Sequence, residues 1–370
     1  MSRFGLPVAP ERILDHTSDG IYVVDPSCRI LFWNKPAERI TGWRAEEVVG
    51  KRCSEDILVH VDSHGRPLCS PDHCPLHKAI ATGMPAGKPY VLYAKCRDGR
   101  RIPVSVTVAP LRDDSGHVIG GVEVFRDESQ RMEELAAARR IQQHALEQLP
   151  PPGKVRFEVL YKPYELLGGD YYRAEQLEGG RYGFIVADVC GHGLAAALYT
   201  MTLHTLWRDS RHLLVSPGLF LGKVGRTMGH LLVEDSFTTA FLGLLEPASG
   251  RLIYSSAGHP PAFLRRAGGG VQRLMALEPP LGLPGMDRLE EASVELGPGD
   301  MLVITSDGAV EARSPAGEEF GIERLEQLVM AADPGDPRAL LREIDKALMI
   351  HVGDIVLDDD MCVMVVVIQE

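Results

Sequence analysis

The sequence predicts an α+β chain in which two globular segments of mixed strand and helix are joined by one helix. Three observations predict it. Residues 9 to 127 alternate short strand-like and helical runs, divided by Asp-Pro, Asp-Gly and Ser-Gly turns. Residues 128 to 149 contain neither Gly nor Pro and are rich in Glu, Ala, Arg and Gln. From Lys154 onward, apolar strand-like runs recur with helical segments between them, the pattern of a β-rich core with helices outside.

In the first segment, Ile21 to Val24 and Ile30 to Trp33 read as strands joined by the turn Asp25-Pro26-Ser27-Cys28. Asn34 to Ile40 and Ala45 to Val49 read as short helices around the Thr41-Gly42-Trp43 break. Tyr90 to Lys95, Arg101 to Pro110 and His117 to Phe125 follow as strands, separated by turns at Arg97-Asp98-Gly99 and Asp113-Asp114-Ser115-Gly116. Asp19-Gly20-Ile21, Phe32-Trp33-Asn34-Lys35-Pro36-Ala37-Glu38, Thr41-Gly42-Trp43 and the closing Phe125-Arg126-Asp127 carry a resemblance to PAS sensor domains, assigned to residues 1–127. That resemblance implies a fold and leaves the PAS ligand unknown.

Next comes the helix. Met132, Leu135, Ala138, Ile141, Ala145 and Leu149 form one apolar stripe. Its mean step is close to the coiled-coil repeat, and Pro150-Pro151-Pro152 ends it. An amphipathic helix lying on its own domain would show the same stripe. Between a sensor and an effector, residues 128–150 read as a coiled-coil signalling linker through which the chain forms a homodimer.

In the last segment, residues 151–370, strands are expected at Phe157 to Tyr161, Tyr182 to Val186, Phe241 to Leu245, Arg251 to Ser255, Ala262 to Arg265, Met301 to Ile304 and Cys362 to Ile368. Helices are expected at Leu194 to Arg208, Gly218 to Leu232, Ile322 to Met330 and Pro337 to His351.

Four short acidic stretches punctuate this segment: Gly168-Gly169-Asp170-Tyr171-Tyr172, Ala187-Asp188-Val189-Cys190-Gly191-His192-Gly193, Thr305-Ser306-Asp307-Gly308 and Asp358-Asp359-Asp360-Met361. Three adjoin apolar runs; the first lies between expected strands. Any one Asp-Gly is most simply a turn. Four such stretches at strand ends can converge, and converging carboxylates repel unless a cation sits among them. Mg²⁺ and Mn²⁺ prefer such oxygen donors.

The motifs and their order resemble the metal-dependent protein Ser/Thr phosphatases of the PPM family, in the bacterial sporulation and stress-response (SpoIIE-type) branch. Phe237-Thr238-Thr239-Ala240-Phe241, Ala257-Gly258-His259-Pro260-Pro261, Pro279-Pro280-Leu281-Gly282-Leu283 and Phe320-Gly321 agree. The resemblance covers about residues 140 to 370 and implies a PPM-type β-sandwich flanked by helices, holding two Mn²⁺ or Mg²⁺ ions. It assigns Asp170 and Asp188 to the first pair of metal carboxylates, the backbone carbonyl of Val189 to the same centre, Asp307 to the third carboxylate and Asp359 to the fourth. Asp360 is the alternative fourth ligand, because three aspartates run together. Cys362 stands where the family has Thr. His192 is a candidate general acid or a residue shaping the turn before the next helix, and the turn is preferred; His259 reads as structural. Glycines 168 and 169 would let Asp170 swing, with the preceding helix placed to drive it.

The resemblance further implies a phosphoserine or phosphothreonine protein as substrate, usually a phosphorylated STAS-domain anti-anti-sigma factor on a separate chain. No Cys-x5-Arg loop offers a covalent route. The alternatives are a non-catalytic scaffold, whose mark would be a lost carboxylate, and a cyclic-dinucleotide synthase read from Gly168-Gly169-Asp170, which leaves the later motifs unexplained.

Composition bounds the rest. A chain of 370 residues, 45% hydrophobic and 24% charged, suffices for two domains with full cores. A net charge of −12 speaks against a nucleic-acid partner. No apolar stretch reaches membrane-spanning length, and Met-Ser-Arg-Phe-Gly-Leu-Pro lacks the core of a signal peptide. The expectation is a cytoplasmic protein whose seven cysteines are mostly free thiols. Cys53, Cys69 and Cys74, with His60, His64, His73 and His77 among them, are donor types suited to zinc, iron or an iron–sulfur cluster. Their spacing matches no standard zinc finger, and loop thiols beside solvent-facing histidines are the preferred reading. Gly50-Lys51-Arg52-Cys53 lacks the neighbours expected of a flavin-adduct cysteine.

Overall fold

A computed structural model describes residues 9–63, 65–146, 149–231, 236–283, 286–353 and 357–369. The chain divides into two compact units, residues 1–134 and 135–370.

The first unit contains α1 (Pro10–Leu14), β1 (Gly20–Val24), β2 (Ile30–Trp33), α2 (Lys35–Thr41), α3 (Ala45–Val48), α4 (Pro75–Thr82), β3 (Tyr90–Lys95), β4 (Arg101–Arg112) and β5 (Val118–Asp127). Its strands form one antiparallel sheet in the order β2-β1-β5-β4-β3. Along β4, Ile102, Val104, Val106 and Val108 are buried at alternate positions, the period-2 signature of a sheet with one face on a core. Tyr22, Trp33 and Phe125 form the aromatic centre of that core, with ring centroids 5.5 to 6.3 Å apart. Asn34 is fully buried and fully used. Its Oδ1 accepts from the amides of Ile21 and Ala37, and its Nδ2 donates to the carbonyls of Leu14 and Asp19. The helix α5 (Ser129–Leu146) begins in this unit and ends in the next.

The second unit continues with β6 (Val155–Lys162), β7 (Asp170–Gln176), β8 (Tyr182–Val189), α6 (Gly193–Asp209), α7 (Pro217–Leu231), β9 (Thr238–Glu246), β10 (Arg251–Ala257), β11 (Ala262–Arg265), β12 (Val271–Leu274), β13 (Ala292–Glu295), β14 (Met301–Thr305), α8 (Asp307–Val310), α9 (Ile322–Ala331), α10 (Pro337–Val352) and β15 (Met361–Ile368). Two five-stranded sheets result, in the orders β13-β10-β9-β8-β7 and β12-β11-β14-β15-β6. Phe184, Val186 and Leu242 of one sheet join Phe157, Ile304 and Met364 of the other in a single core, which Trp207 of α6 and Phe220 of α7 extend. On the far face of the second sheet, Val303, Val363 and Val365 pack with Leu325 of α9 and Ile344 of α10. β15 is therefore buried on both faces, which is why it reads as an unbroken apolar run rather than an alternating one.

The expected strands and helices are all present to within a few residues at their ends. Leu232, expected to close α7, and residues 147–148 of the linker lie outside the described residues. Three strands were not anticipated: β7, β12 and β13, whose sequences are polar and short of β-branched residues. Asp170 opens β7 instead of standing in a loop between strands. The stripe on α5 also breaks: Ile141 is 63% exposed, while Gln142 beside it is buried.

Candidate metal centre

The two sheets bring their acidic motifs to corresponding ends. β7 and β8 pair antiparallel with Asp170 directly opposite Asp188. Cross-strand partners have Cβ atoms about 4.5–5.5 Å apart, and like charges there are destabilising. β14 runs into Ser306 and Asp307, and the antiparallel β15 starts just after Asp359 and Asp360. Ser306 ties the two sheets together: its Oγ–H donates to Asp170 Oδ2 at 2.7 Å and accepts from the Cys362 amide at 2.9 Å. It is the backbone of Cys362 that makes this bond, so Cys serves here as well as Thr.

The carboxylates are held where charge is costly. Asp170 is 1% and Asp188 8% exposed. Burial first, then Asp188, raises Asp170 far above the usual carboxylate range. Burial first, then Asp307 and Asp359, does the same for Asp188. Asp307 is pushed up to about 6 by burial and Asp359. Asp170 Oδ1 and Asp307 Oδ1 are buried without a hydrogen-bond partner. Orphaned carboxylate oxygens with raised pKa values are what a hard divalent cation would satisfy. Among the described residues no three acidic, His or Cys side chains close around a single ion. The donor set therefore fits ions that take one or two carboxylates each and complete their shells with carbonyl oxygens and water, as Mg²⁺ does.

Asp359 and Asp360 do different things. Asp360 is 2% exposed, and its two oxygens accept the amides of Tyr164 at 2.6 Å and Gly169 at 2.5 Å. Asp359 lines an open cavity with Gly308, Glu311 and Arg313. Sequence reading missed Glu311, which lies one helical turn after Asp307 and raises the pKa of both Asp188 and Asp307.

Both glycines before Asp170 are closely approached, Gly169 by backbone and Gly168 by side chains. A Cβ on Gly169 would lie 2.8 Å from the Val189 carbonyl oxygen, and one on Gly168 would lie 2.4 Å from the Tyr161 hydroxyl. Gln142 of α5, also missed, grips the same loop. Its side-chain amide donates to the Gly168 carbonyl at 2.7 Å and to Thr200 Oγ1 at 2.9 Å, and its Oε1 accepts the Gly168 amide at 3.3 Å. A search for apolar periodicity passes over a buried glutamine.

His192 caps α6 between left-handed Gly191 and Gly193. Its ring is half-exposed, 3.1 Å from Glu165 and edge-on to Tyr164. His259 is buried, shares a 2.8 Å hydrogen bond with Thr239, and is held neutral by burial, which lowers its pKa to about 3.

Comparison with known proteins adds the following. Residues 178–369, more than half the chain, match the family Stage II sporulation protein E (SpoIIE), and residues 18–130 match the PAS domain. Protein IcfG of Synechocystis is 29% identical over 61% of this chain and 40% of its own length. Phosphoserine phosphatase RsbP of Bacillus subtilis is 31% identical over 48% of this chain and 45% of its own. The chain thus spans less than half the length of these two relatives. In fold, the SiaA-PP2C domain of Pseudomonas aeruginosa superposes with a TM-score of 0.58 at 22% identity, covering 64% of this chain and 97% of that domain.

Proposed function

The chain belongs to the SpoIIE family, and from that premise we propose that it is a metal-dependent phosphatase acting on phosphoserine or phosphothreonine of a regulatory protein. One observation carries the reading: two strand-end carboxylates directly opposed in one sheet, Asp170 and Asp188, meet Asp307 across the Ser306 bridge from the other. We read the paired sheets as the family's β-sandwich flanked by helices, with residues 1–127, 128–150 and 151–370 as sensor, linker and phosphatase domain.

Asp170, Asp188, Asp307 and Asp359, with the Val189 carbonyl, would hold two Mn²⁺ or Mg²⁺ ions. Bound ions of this kind supply positive charge to the phosphoryl oxygens and acidify a water molecule. The chain's own residues do the positioning. Ser306 fixes the rotamer of Asp170. Asp360 spends both oxygens pinning Tyr164 and Gly169, which favours Asp359 as the fourth ligand. His192, half-exposed at the rim and paired with Glu165, is available to substrate without being a ligand.

The relative named phosphoserine phosphatase RsbP supports the activity. A phosphorylated STAS-domain protein remains the proposed substrate. A scaffold with a decayed site would lack a carboxylate, and all four are present. Among the described residues no helix is long and apolar enough to cross a membrane. The PAS unit would act through α5, whose Gln142 holds the Gly168–Asp170 loop, and exposed Ile141 supports pairing of two copies along that helix.

Hydrolysis of p-nitrophenyl phosphate and of a phosphorylated STAS-domain protein, with and without Mn²⁺ and beside a GTP arm, tests the reading. Metal-dependent release of phosphate is expected. Conversion of GTP to a cyclic dinucleotide with no phosphate release from the other two would overturn it.

A further inference from the structure

Four of the seven cysteines gather around one cavity of about 330 Å³ in the first unit. Cys28, Cys53, Cys69 and Cys74 line it together with His60 and Arg52. None is in a disulfide. We propose that this cavity is an iron–sulfur cluster site, with Cys53, Cys69 and Cys74 as three thiolate ligands and Cys28 as the fourth.

The fold assembles these residues deliberately. Cys28 sits at the end of the β1–β2 turn in a left-handed conformation, φ 61°, which is uncommon for a residue with a side chain. Its carbonyl accepts the Cys53 amide at 3.3 Å, fixing the first two segments to each other. The Leu68 amide donates to the His60 carbonyl at 2.9 Å and the Cys74 amide to the Ser70 carbonyl at 2.8 Å, which sets the loop carrying Cys69. Cys74 caps α4, where its sulfur accepts the His77 amide at 3.5 Å. Three separate chain segments therefore present sulfur to one space, and one sulfur already receives an N–H donor. Such hydrogen bonds to sulfur are among the features that tune cluster potentials.

The number of thiols and the cavity they share bear on the type of centre. A structural zinc site draws four ligands onto one ion at about 2.3 Å per sulfur. Among the described residues no three Cys, His, Asp or Glu side chains converge that closely. Four thiols around a cavity suit a polynuclear core, which takes one or two cysteines at each iron. The site also needs a cation. Assembly would break four S–H bonds of the free thiols, release their protons and form four iron–sulfur bonds. Arg52 at the wall would offset part of the negative charge that four thiolates leave. Beside the thiols, His60 Nε2 and Glu123 Oε1 are buried, 3.7 Å apart and without a hydrogen-bond partner. Burial keeps both neutral, His60 lowered to about 4 and Glu123 raised to about 8.

The structure departs from the expected solvent-facing histidines in their burial. Cys53 and His60 are buried, and only His73 among the described histidines of that stretch is exposed; His64 lies outside the described residues. Cys28 was not seen as a member because it is distant in sequence.

The test is anoxic purification of the full chain, followed by iron and acid-labile sulfide analysis, visible absorption and electron paramagnetic resonance after dithionite reduction. The expected result is equal iron and sulfide, in a 4:4 or 2:2 stoichiometry per chain, from the cell or after reconstitution with Fe³⁺, sulfide and dithiothreitol. Cys69→Ser and Cys74→Ser, at part-buried positions that tolerate the change, should each lower iron content about tenfold or more. Cys96→Ser and Cys190→Ser, away from the cavity, should keep it. Cys53→Ser is read only if its thermal unfolding stays cooperative. A protein that takes up zinc but no iron under anoxia overturns the proposal. So does one in which Cys69→Ser and Cys74→Ser retain the wild-type iron content.

Discussion

The second unit gathers buried carboxylates at and just beyond strand ends, whereas the first sets thiols and an imidazole around a cavity, with the carboxyl of Glu123 on β5 beside them. β8 is laddered to β9 on one side and to β7 on the other, and that shared ladder holds Asp170 opposite Asp188. Turns and a helix cap can yield. The contrast is between carboxylates that load one another when ionised and thiols set around a cavity. Hard oxygen donors suit the first arrangement and soft sulfur donors the second.

The largest expected effect breaks the loaded centre. Asp307→Asn should remove Mn²⁺-dependent hydrolysis by more than the roughly 10–100-fold that outer-shell changes cost, while the far-ultraviolet circular dichroism stays native. Asp359→Asn and Asp360→Asn should then part company. The first should lose metal affinity and unfold at a higher temperature without metal, because repulsion is relieved. The second should lose about 1–3 kcal/mol of stability through the amides it leaves poorly paired. Wild-type turnover in Asp307→Asn at sub-millimolar metal would sink the assignment.

Next in size is the link between the units. Gln142→Leu strips the Gly168 amide and carbonyl of their buried partners, and basal turnover should change several-fold. Two alanines inserted after Ala137 turn everything downstream by about 200° and should have a similar effect. Seven alanines, with a drift of about 20°, should change turnover much less. Equal turnover in all of these would make α5 a tether. Light scattering of the full chain checks the pairing of copies: wild type should be a dimer at tens of micromolar and Ile141→Glu a monomer.

The smallest effect belongs to the first unit and to pH. Glu123 has a folded pKa of about 8, raised chiefly by burial, against about 4.3 in an unfolded chain. A carboxyl raised on folding contributes stability that is complete below the unfolded value and is lost as pH climbs through the folded one. The first unit should therefore lose stability between about pH 4.3 and 8 through this group, and Glu123→Gln should flatten that part of the melting profile. An unchanged slope would mean that His60 and Glu123 share a proton and titrate as one pair.

Most of the second unit was legible because its information is local. Tyr182 to Val189 and Met361 to Ile368 are apolar runs with an aspartate at one end, and their order names the motif. β7 was not, because Asp-Tyr-Tyr-Arg-Ala-Glu-Gln takes its strand character from pairing with β8 rather than from its composition. Gln142 and Cys28 were invisible for another reason. Each acquires its role from a segment distant in sequence: Gln142 from Gly168, and Cys28 from Cys53 and the loop that follows. Asp360 was seen, but three consecutive aspartates look alike until the amides of Tyr164 and Gly169 single one out.

Ser306 carries one further consequence. By donating to Asp170 Oδ2 it occupies one lone pair of that oxygen and leaves Oδ1 without a partner. The hydroxyl thus biases the carboxylate toward binding through Oδ1 alone, and with that the size of ion the centre welcomes. Small octahedral cations are content with one oxygen per carboxylate, whereas Ca²⁺ takes 6–8 oxygens and readily accepts two from one group. Removing the hydroxyl, as in Ser306→Ala, would return the second oxygen to Asp170 and tilt the centre toward the larger ion.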